Sequence, residues 1–247
     1  MNVKTLIQAI LSRSLLDDYR EVRVSKLQAH RERAAVQATF SDIYKNGAWG
    51  KSSDPKLPYF SGRGSHDESI VSVYVQQVTK FLGSLDSKPD VLDLGCGDFA
   101  VGSRIRPMCS GYIACDVVPE LIAFNRKKYK SAGVDFRVLD LVSDAIPKAD
   151  IIFIRQVLQH LSNQQIAKLV PKLKSGFSYL VVTEHVPIPR DFTPNLDMPA
   201  GPGYRLPVGS GVVLTKPPFN LVVKDEYDLC EVEVEGGVVR TTVYVLN

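Results

Sequence analysis

Between residues 88 and 185, short apolar runs alternate with stretches long enough for a helix, and this rhythm limits the possible folds more than any other feature of the chain. The runs are PDVLDLG, ending at Gly95, GYIACD, ending at Asp116, VDFRVLD, ending at Asp140, ADIIFIR, ending at Arg155, and SYLVVTEH, ending at His185. Between them, Ala100 to Met108, Pro119 to Ala132 and Asn163 to Lys174 read as helices. Runs this apolar, bounded by Gly, Pro and Asp, predict parallel strands covered on both faces. Beyond a Pro/Gly-rich segment from Pro187 to Pro218, two more candidate strands, Asn220 to Glu226 and Val238 to Leu246, are split by Glu235-Gly236-Gly237, which reads as a hairpin. The expected fold is α/β: a seven-stranded, mostly parallel, doubly wound sheet with a C-terminal antiparallel edge hairpin and an N-terminal helical cover.

That cover comes from Val3 to about Phe40, where Leu6, Ile7, Ile10, Leu11, Leu15, Val22, Val24 and Leu27 recur at helical spacing and predict two helices. A turn-rich loop from Asn46 to Ser65 follows, then a periodic helix from Asp67 to Leu85 with Ser65 as N-cap and Glu68 completing a capping box. We divide the chain into a cover and ligand loop, residues 1–65, and a core, residues 66–247, forming one compact domain. With 45% hydrophobic and 23% charged residues among 247, the composition is that of a globular chain large enough for one α/β core. Thirty basic against 27 acidic side chains leave a net charge of +3, which does not indicate a nucleic-acid partner. Cys96, Cys109, Cys115 and Cys230 show neither zinc-ligand spacing nor a secreted disulfide framework, so no metal is expected and a reducing cytoplasm fits best. The apolar stretch at the N-terminus is too short and too charged to span a membrane.

The sharpest local feature is Val91-Leu92-Asp93-Leu94-Gly95-Cys96-Gly97-Asp98-Phe99-Ala100, a strand running into a glycine turn that opens a helix. Such a turn admits ligand atoms close to the backbone and aims N–H groups at them. Gly95, Gly97 and Ala100 also satisfy the dinucleotide fingerprint, and Asp116 lies about 20 residues on, so a nicotinamide-binding oxidoreductase remains an alternative. Charge separates the two ligands. Asp93 and Asp98 flank the glycines, where carboxylates would repel a pyrophosphate and attract a cation.

The segment resembles the first motif of class I, Rossmann-like, S-adenosylmethionine-dependent methyltransferases, and the resemblance continues through residues 88 to 185. It implies S-adenosyl-L-methionine as cofactor. Asp93 would hold the amino-acid end, with Gly95, Cys96 and Gly97 as backbone contacts. Asp116 would accept from the ribose hydroxyls and Val117 would pack on the adenine; Asp140 would receive the adenine amino group beside Leu141. Arg155 and Gln156 would face the methionine portion, and Tyr44 and Trp49 of the N-terminal loop would cover the donor. Asp93 could instead only cap its turn, and Trp49 could only plug the core.

For the acceptor, Glu184 and His185 end the fifth strand at the carboxyl edge, where open α/β sheets place ligands. His185 is the candidate base, needed only if the acceptor must shed a proton early; a satisfied strand-end histidine is the competing reading. His160 reads as a packing residue. The loop Pro187 to Pro218 offers Asn195, Asp197, Tyr204 and Arg205, which suggest a small polar acceptor such as a sugar or other metabolite hydroxyl, with Arg205 pairing either a substrate acid or Asp197. Pro217-Pro218-Phe219 departs from the amino-group methyltransferase motif, because Lys216 stands where Asn or Asp is required. An RNA or protein substrate is the main rival. The expected partner is a small-molecule substrate, with no membrane, and the protein acts as monomer or homodimer.

Overall fold

The computed structural model describes residues 23–24, 27–28, 30–174 and 176–246. Seven strands form one sheet: β1 (Val91–Leu94), β2 (Tyr112–Asp116), β3 (Asp135–Val138), β4 (Ile151–Arg155), β5 (Tyr179–Val186), β6 (Asp225–Val234) and β7 (Gly237–Val245). Their order is β3-β2-β1-β4-β5-β7-β6. The first five run parallel, whereas β7 pairs antiparallel with both β5 and β6. This is the sheet expected from the strand rhythm.

Alternation along the central strands explains why they are apolar throughout. Leu92, Leu94, Ile152 and Ile154 point into one core with Ile166, Leu169 and Leu173. Val91, Ile151 and Phe153 point into the other with Tyr74, Val78 and Phe81. Each strand therefore buries two faces, and burial of each large side chain contributes about 1.5–3 kcal/mol. The helices that cover these faces are α1, spanning residues 30–46, α2 (Glu68–Gly83), a short α3 (Gly102–Ile105), α4 (Pro119–Lys128) and α5 (Asn163–Leu169). Helix α1 is fastened to the core by Arg33 to Asp144 at 3.1 Å and by Lys168 to Glu32 at 2.6 Å.

Several local boundaries differ from expectation. Helix α2 is capped by Asp67, whose carboxylate accepts from the Ser69 N–H, while Ser65 sits in a preceding 3-10 turn. The side chain nearest the first free N–H wins the cap. The helices after β1 and β4 are shorter and end in 3-10 turns, Arg106–Met108 and Val170–Leu173, each with a proline. Strand β6 starts at Asp225, not Asn220, and continues to Val234. The first predicted N-terminal helix lies outside the described residues. Among the described residues, no helix is long and apolar enough to cross a membrane.

Because β2 and β4 flank β1, the chain leaves β1 in opposite directions around this point, and the carboxyl ends of these strands open a crevice. That crevice positions the site.

Candidate active site

A cavity of about 940 Å³ occupies the crevice. It brings together Asp93, Gly95, Cys96 and Gly97 from β1 and its turn, Asp116 and Val117 after β2, Asp140 and Leu141 after β3, and Arg155 and Gln156 after β4. Tyr44 and Trp49 from the N-terminal cover and His185 from β5 complete the group. Glu184 is not among the lining residues.

Gly95 and Gly97 have φ of 80° and 54°, and both Gly95 and Cys96 donate their N–H to the Cys115 carbonyl at 2.8 Å. A methyl group on Gly95 would come within 2.4 Å of Val157, and one on Gly97 within 2.4 Å of Ser61. Only glycine permits both the backbone conformation and the approach. Phe99, which follows, holds a left-handed φ of 61° while fully buried. Edge-on packing against Tyr112, Tyr129 and Phe136 offsets a backbone cost of about 1–2 kcal/mol.

Asp93 receives the Tyr112 hydroxyl at 3.0 Å, yet burial pushes its carboxyl up to about 7. Beside it, Arg155 stacks over the Tyr74 ring at 4.9 Å, and burial lowers its pKa. Arg155 donates to the Gly64 carbonyl and to Ser65 Oγ, while its Nε is buried without a partner. Asp116 accepts from the N–H of Gly97 and of Val118, both at 3.1 Å, and burial raises it to about 6. Asp140 accepts from Val142 N–H at 2.9 Å and from the Ser143 hydroxyl at 2.7 Å. Asp140 is thus oriented by its own turn, whereas Asp93 and Asp116 are also held from neighbouring segments, by Tyr112 and Gly97.

Asp98 also lines the cavity, with its carboxylate engaged by the segment before α2. It accepts from Ser61 N–H at 3.1 Å and contacts His66 Nε2 at 2.6 Å, while its own N–H donates to Ser61 Oγ at 2.8 Å. Segment Ser61–His66 is therefore strapped across the cavity, held at both ends by Asp98 and between them, at Gly64 and Ser65, by Arg155. Gly64 lies so close to Gln156 that an added methyl would overlap the Gln156 amide. Gln156 itself adopts a left-handed φ of 53°. Neither Ser61 nor His66 stood out in the sequence, because their partner is more than 30 residues away.

On the acceptor side, Glu184 turns from the cavity. Its two oxygens accept the N–H groups of Leu158 at 3.0 Å and Gln159 at 2.9 Å, and burial raises its pKa to about 8. It braces the segment after β4 instead of meeting an acceptor. His185 lies parallel to the Tyr204 ring, 10° off plane at 5.3 Å; its Nε2 is buried without a partner, and burial lowers its pKa. His160 is satisfied: Nδ1 pairs with the Gly203 carbonyl at 2.8 Å, Nε2 with the Gln159 amide at 3.2 Å, and burial lowers it to about 4. Trp49 lines the cavity and donates to the Pro202 carbonyl at 3.2 Å.

Three of the four loop residues suggested for the acceptor are structural. Arg205, 1% exposed, donates to the carbonyls of Leu196, Leu158, Gln159 and Leu161 and to the Asn163 side chain, and forms no pair with Asp197. Asn195 bridges Val213 and Pro217, and Asp197 accepts from the N–H of Asn163 and Met198. Where this loop packs on the core its backbone groups must be satisfied, and these side chains do so. Only Tyr204 lines the cavity. Glu233 and Glu235, on the β6–β7 hairpin, reach its rim. Among the described residues, no three His, Cys, Asp or Glu side chains are grouped to hold a metal ion.

No curated protein matches the chain by sequence. A methyltransferase domain family model matches residues 91–176, from the start of β1 to just before β5. Among solved structures, the chain is similar to N-methyltransferase NodS from Bradyrhizobium japonicum WM9 in complex with S-adenosyl-l-homocysteine, with 14% identity over 72% of this chain and 88% of that one at a TM-score of 0.53. Human N-acetylserotonin methyltransferase in complex with SAM aligns with 16% identity over 84% of this chain and 58% of that one, TM-score 0.55. Magnesium protoporphyrin IX methyltransferase from Synechocystis PCC 6803 with bound SAM aligns with 13% identity over 89% and 97%, TM-score 0.53. The methyltransferase domain model thus covers the strands that build the glycine turn, and the sheet shares the fold of these S-adenosylmethionine-dependent methyltransferases.

Proposed function

We propose that the protein transfers a methyl group from S-adenosylmethionine to the hydroxyl of a small molecule, with His185 taking the proton. The observation that carries the cofactor half is the adjacency of a buried, unmatched carboxyl and a buried, incompletely paired guanidinium. Asp93, raised to about 7 by burial, suits the ammonium of the donor, and the free Nε of Arg155 suits its carboxylate. Asp116 and Asp140, each with lone pairs left after its turn contacts, would accept from the ribose and adenine. Val117 and Leu141 would pack on the base, and Gly95, Cys96, Gly97 and Gln156 would supply close backbone and amide contacts. When bound, the cofactor supplies an electrophilic methyl on a sulfonium centre.

The chain's own contribution is then placement and dryness. The strap Ser61–His66, Tyr44 and Trp49 close over the donor and exclude water. His185 presents a neutral imidazole whose burial disfavours the charged form, so it can accept a proton across the neutral pH range. A small acceptor fits better than RNA, because Glu233 and Glu235 at the mouth would repel a phosphate backbone. A nicotinamide dinucleotide is disfavoured by the same logic at Asp93 and Asp116. The test is His185→Asn: turnover should fall at least ten-fold with affinity for S-adenosylhomocysteine unchanged. A variant of full activity would remove His185 as the base.

A further inference from the structure

We infer that the acceptor is a phenol, a hydroxyl on a flat aromatic body, received between the Tyr204–His185 pair and the aliphatic wall of Leu206, Pro207 and Val239. This deepens the methyltransferase reading above and rests on it.

The first ground is shape. Tyr204 and His185 are stacked, 10° from parallel with ring centroids 5.3 Å apart, and both line the cavity. The backbone presenting Tyr204 is pinned on the two preceding residues, since Trp49 donates to the Pro202 carbonyl and His160 pairs with the Gly203 carbonyl. A fixed aromatic slab favours an offset-stacked planar ligand.

The second ground is the scarcity of polar partners. The Gln159 amide is spent on His160 and on the His185 backbone N–H, Asn195 and Arg205 face inward, and Asp197 is exposed and outside the cavity lining. A sugar carries several hydroxyls, and each one buried here without a partner would cost about 1–3 kcal/mol. A phenol carries one.

The third ground is acidity. An imidazole weakened by burial cannot usefully deprotonate an aliphatic alcohol, whereas a phenol ionises near the tyrosine value of about 10. In the reaction the phenolic oxygen bonds to the methyl carbon. The carbon–sulfur bond breaks with its electron pair left on sulfur, and the phenolic proton passes to His185. The products are an aryl methyl ether, S-adenosylhomocysteine and a protonated histidine that releases its proton to water. The acids Glu233 and Glu235 at the rim further favour a neutral or cationic phenol over one bearing a carboxylate.

The experiment has two readouts on the full chain. S-Adenosylhomocysteine is titrated first, and absence of binding would overturn the methyltransferase reading itself. The loaded protein is then probed by saturation-transfer NMR, and the protein with S-adenosylmethionine by mass spectrometry for a single added methyl. The probes are tyramine, 4-methylphenol, 4-hydroxybenzoate, cyclohexanol, aniline and methyl glucoside. The expected result is binding and O-methylation of tyramine and 4-methylphenol, at least ten-fold weaker for 4-hydroxybenzoate, and none for cyclohexanol or methyl glucoside. Tyr204→Phe should keep this binding and Tyr204→Ala should lose it ten-fold or more, both with unchanged affinity for S-adenosylhomocysteine. Methylation of methyl glucoside or aniline in preference to the phenols, or no methylation of either favoured phenol by protein that binds S-adenosylhomocysteine, would overturn the inference while leaving the cofactor assignment intact.

Discussion

His66 Nε2 lies 2.6 Å from Asp98 Oδ2, joining the strap before α2 to the glycine turn after β1. The same carboxylate accepts the Ser61 N–H, so one buried acid fixes both ends of the strap. His66→Phe should keep the stack on Phe60 while losing the bond to Asp98. Affinity for S-adenosylhomocysteine should fall by about ten-fold, a loss of roughly 1.4 kcal/mol. Trypsin cleavage at the exposed Arg63 should quicken in parallel; unchanged cleavage and affinity would show that the strap is held without this bond.

Asp93 links cofactor binding to protons. Burial raises its folded pKa to about 7, so its neutral form is the one the empty fold favours; its contribution to stability is full below the ordinary carboxylate range and is lost as pH rises through about 7. A bound ammonium needs the ionised form. Binding of S-adenosylhomocysteine at pH 6 should therefore release a proton from Asp93, and at pH 8.5 it should not. Calorimetry in buffers of different ionisation enthalpy reads this directly, and Asp93→Asn should abolish the difference between the two pH values while weakening binding by about 1.5–3 kcal/mol. A proton count that is the same in the parent and in Asp93→Asn would contradict the assignment.

Glu184 is expected to act on stability alone. Glu184→Gln replaces one of the two oxygens that hold the Leu158 and Gln159 N–H groups with an amide NH₂, leaving a donor facing a donor. Unfolding in urea should show a loss of about 1–3 kcal/mol with turnover at saturating substrate within a few-fold of the parent. Loss of turnover with stability intact would return Glu184 to the chemistry.

Sequence and structure agree where burial is symmetric. The strands β1, β2, β4 and β5 are buried on two faces, so they leave uninterrupted apolar runs such as Ile151-Ile152-Phe153-Ile154, and the glycine turn after β1 announces itself by residue type. Strand β6 was displaced by about five residues because it is an edge strand with one wet face. Its Asp225, Glu226, Asp228, Glu231 and Glu233 hide the strand pattern and protect the edge from pairing with another chain. The cavity-lining acids Asp93, Asp116 and Asp140 are legible because each lies at or near the carboxyl end of a strand. The roles of Arg205, Asn195 and Asp98 were not, because a polar residue in a loop gives no sign of whether it turns inward to carbonyls or outward to a ligand.

Arg205 distinguishes those two cases experimentally. Arg205→Met leaves four carbonyls and the Asn163 side chain without their donor, and denaturation should report a loss of about 1–3 kcal/mol or more. A variant as stable as the parent would put Arg205 back among the acceptor contacts.

As the proposed base, His185 should set the acid limb of the pH profile. Burial lowers its pKa below the ordinary histidine value of about 6.5, and the neutral ring is the active form. Turnover of tyramine should rise with pH through a pKa below 6.5 and stay level across neutrality, and His185→Gln should flatten that limb. An acid limb retained in the variant would locate the proton acceptor elsewhere.

Isothermal calorimetry with S-adenosylhomocysteine and with reduced nicotinamide dinucleotide, side by side at pH 7.5, tests the central claim most directly. The site built on Asp93, Arg155 and Asp116 predicts saturable one-site binding of the first and no heat from the second. Tight uptake of the dinucleotide with no binding of S-adenosylhomocysteine would contradict it.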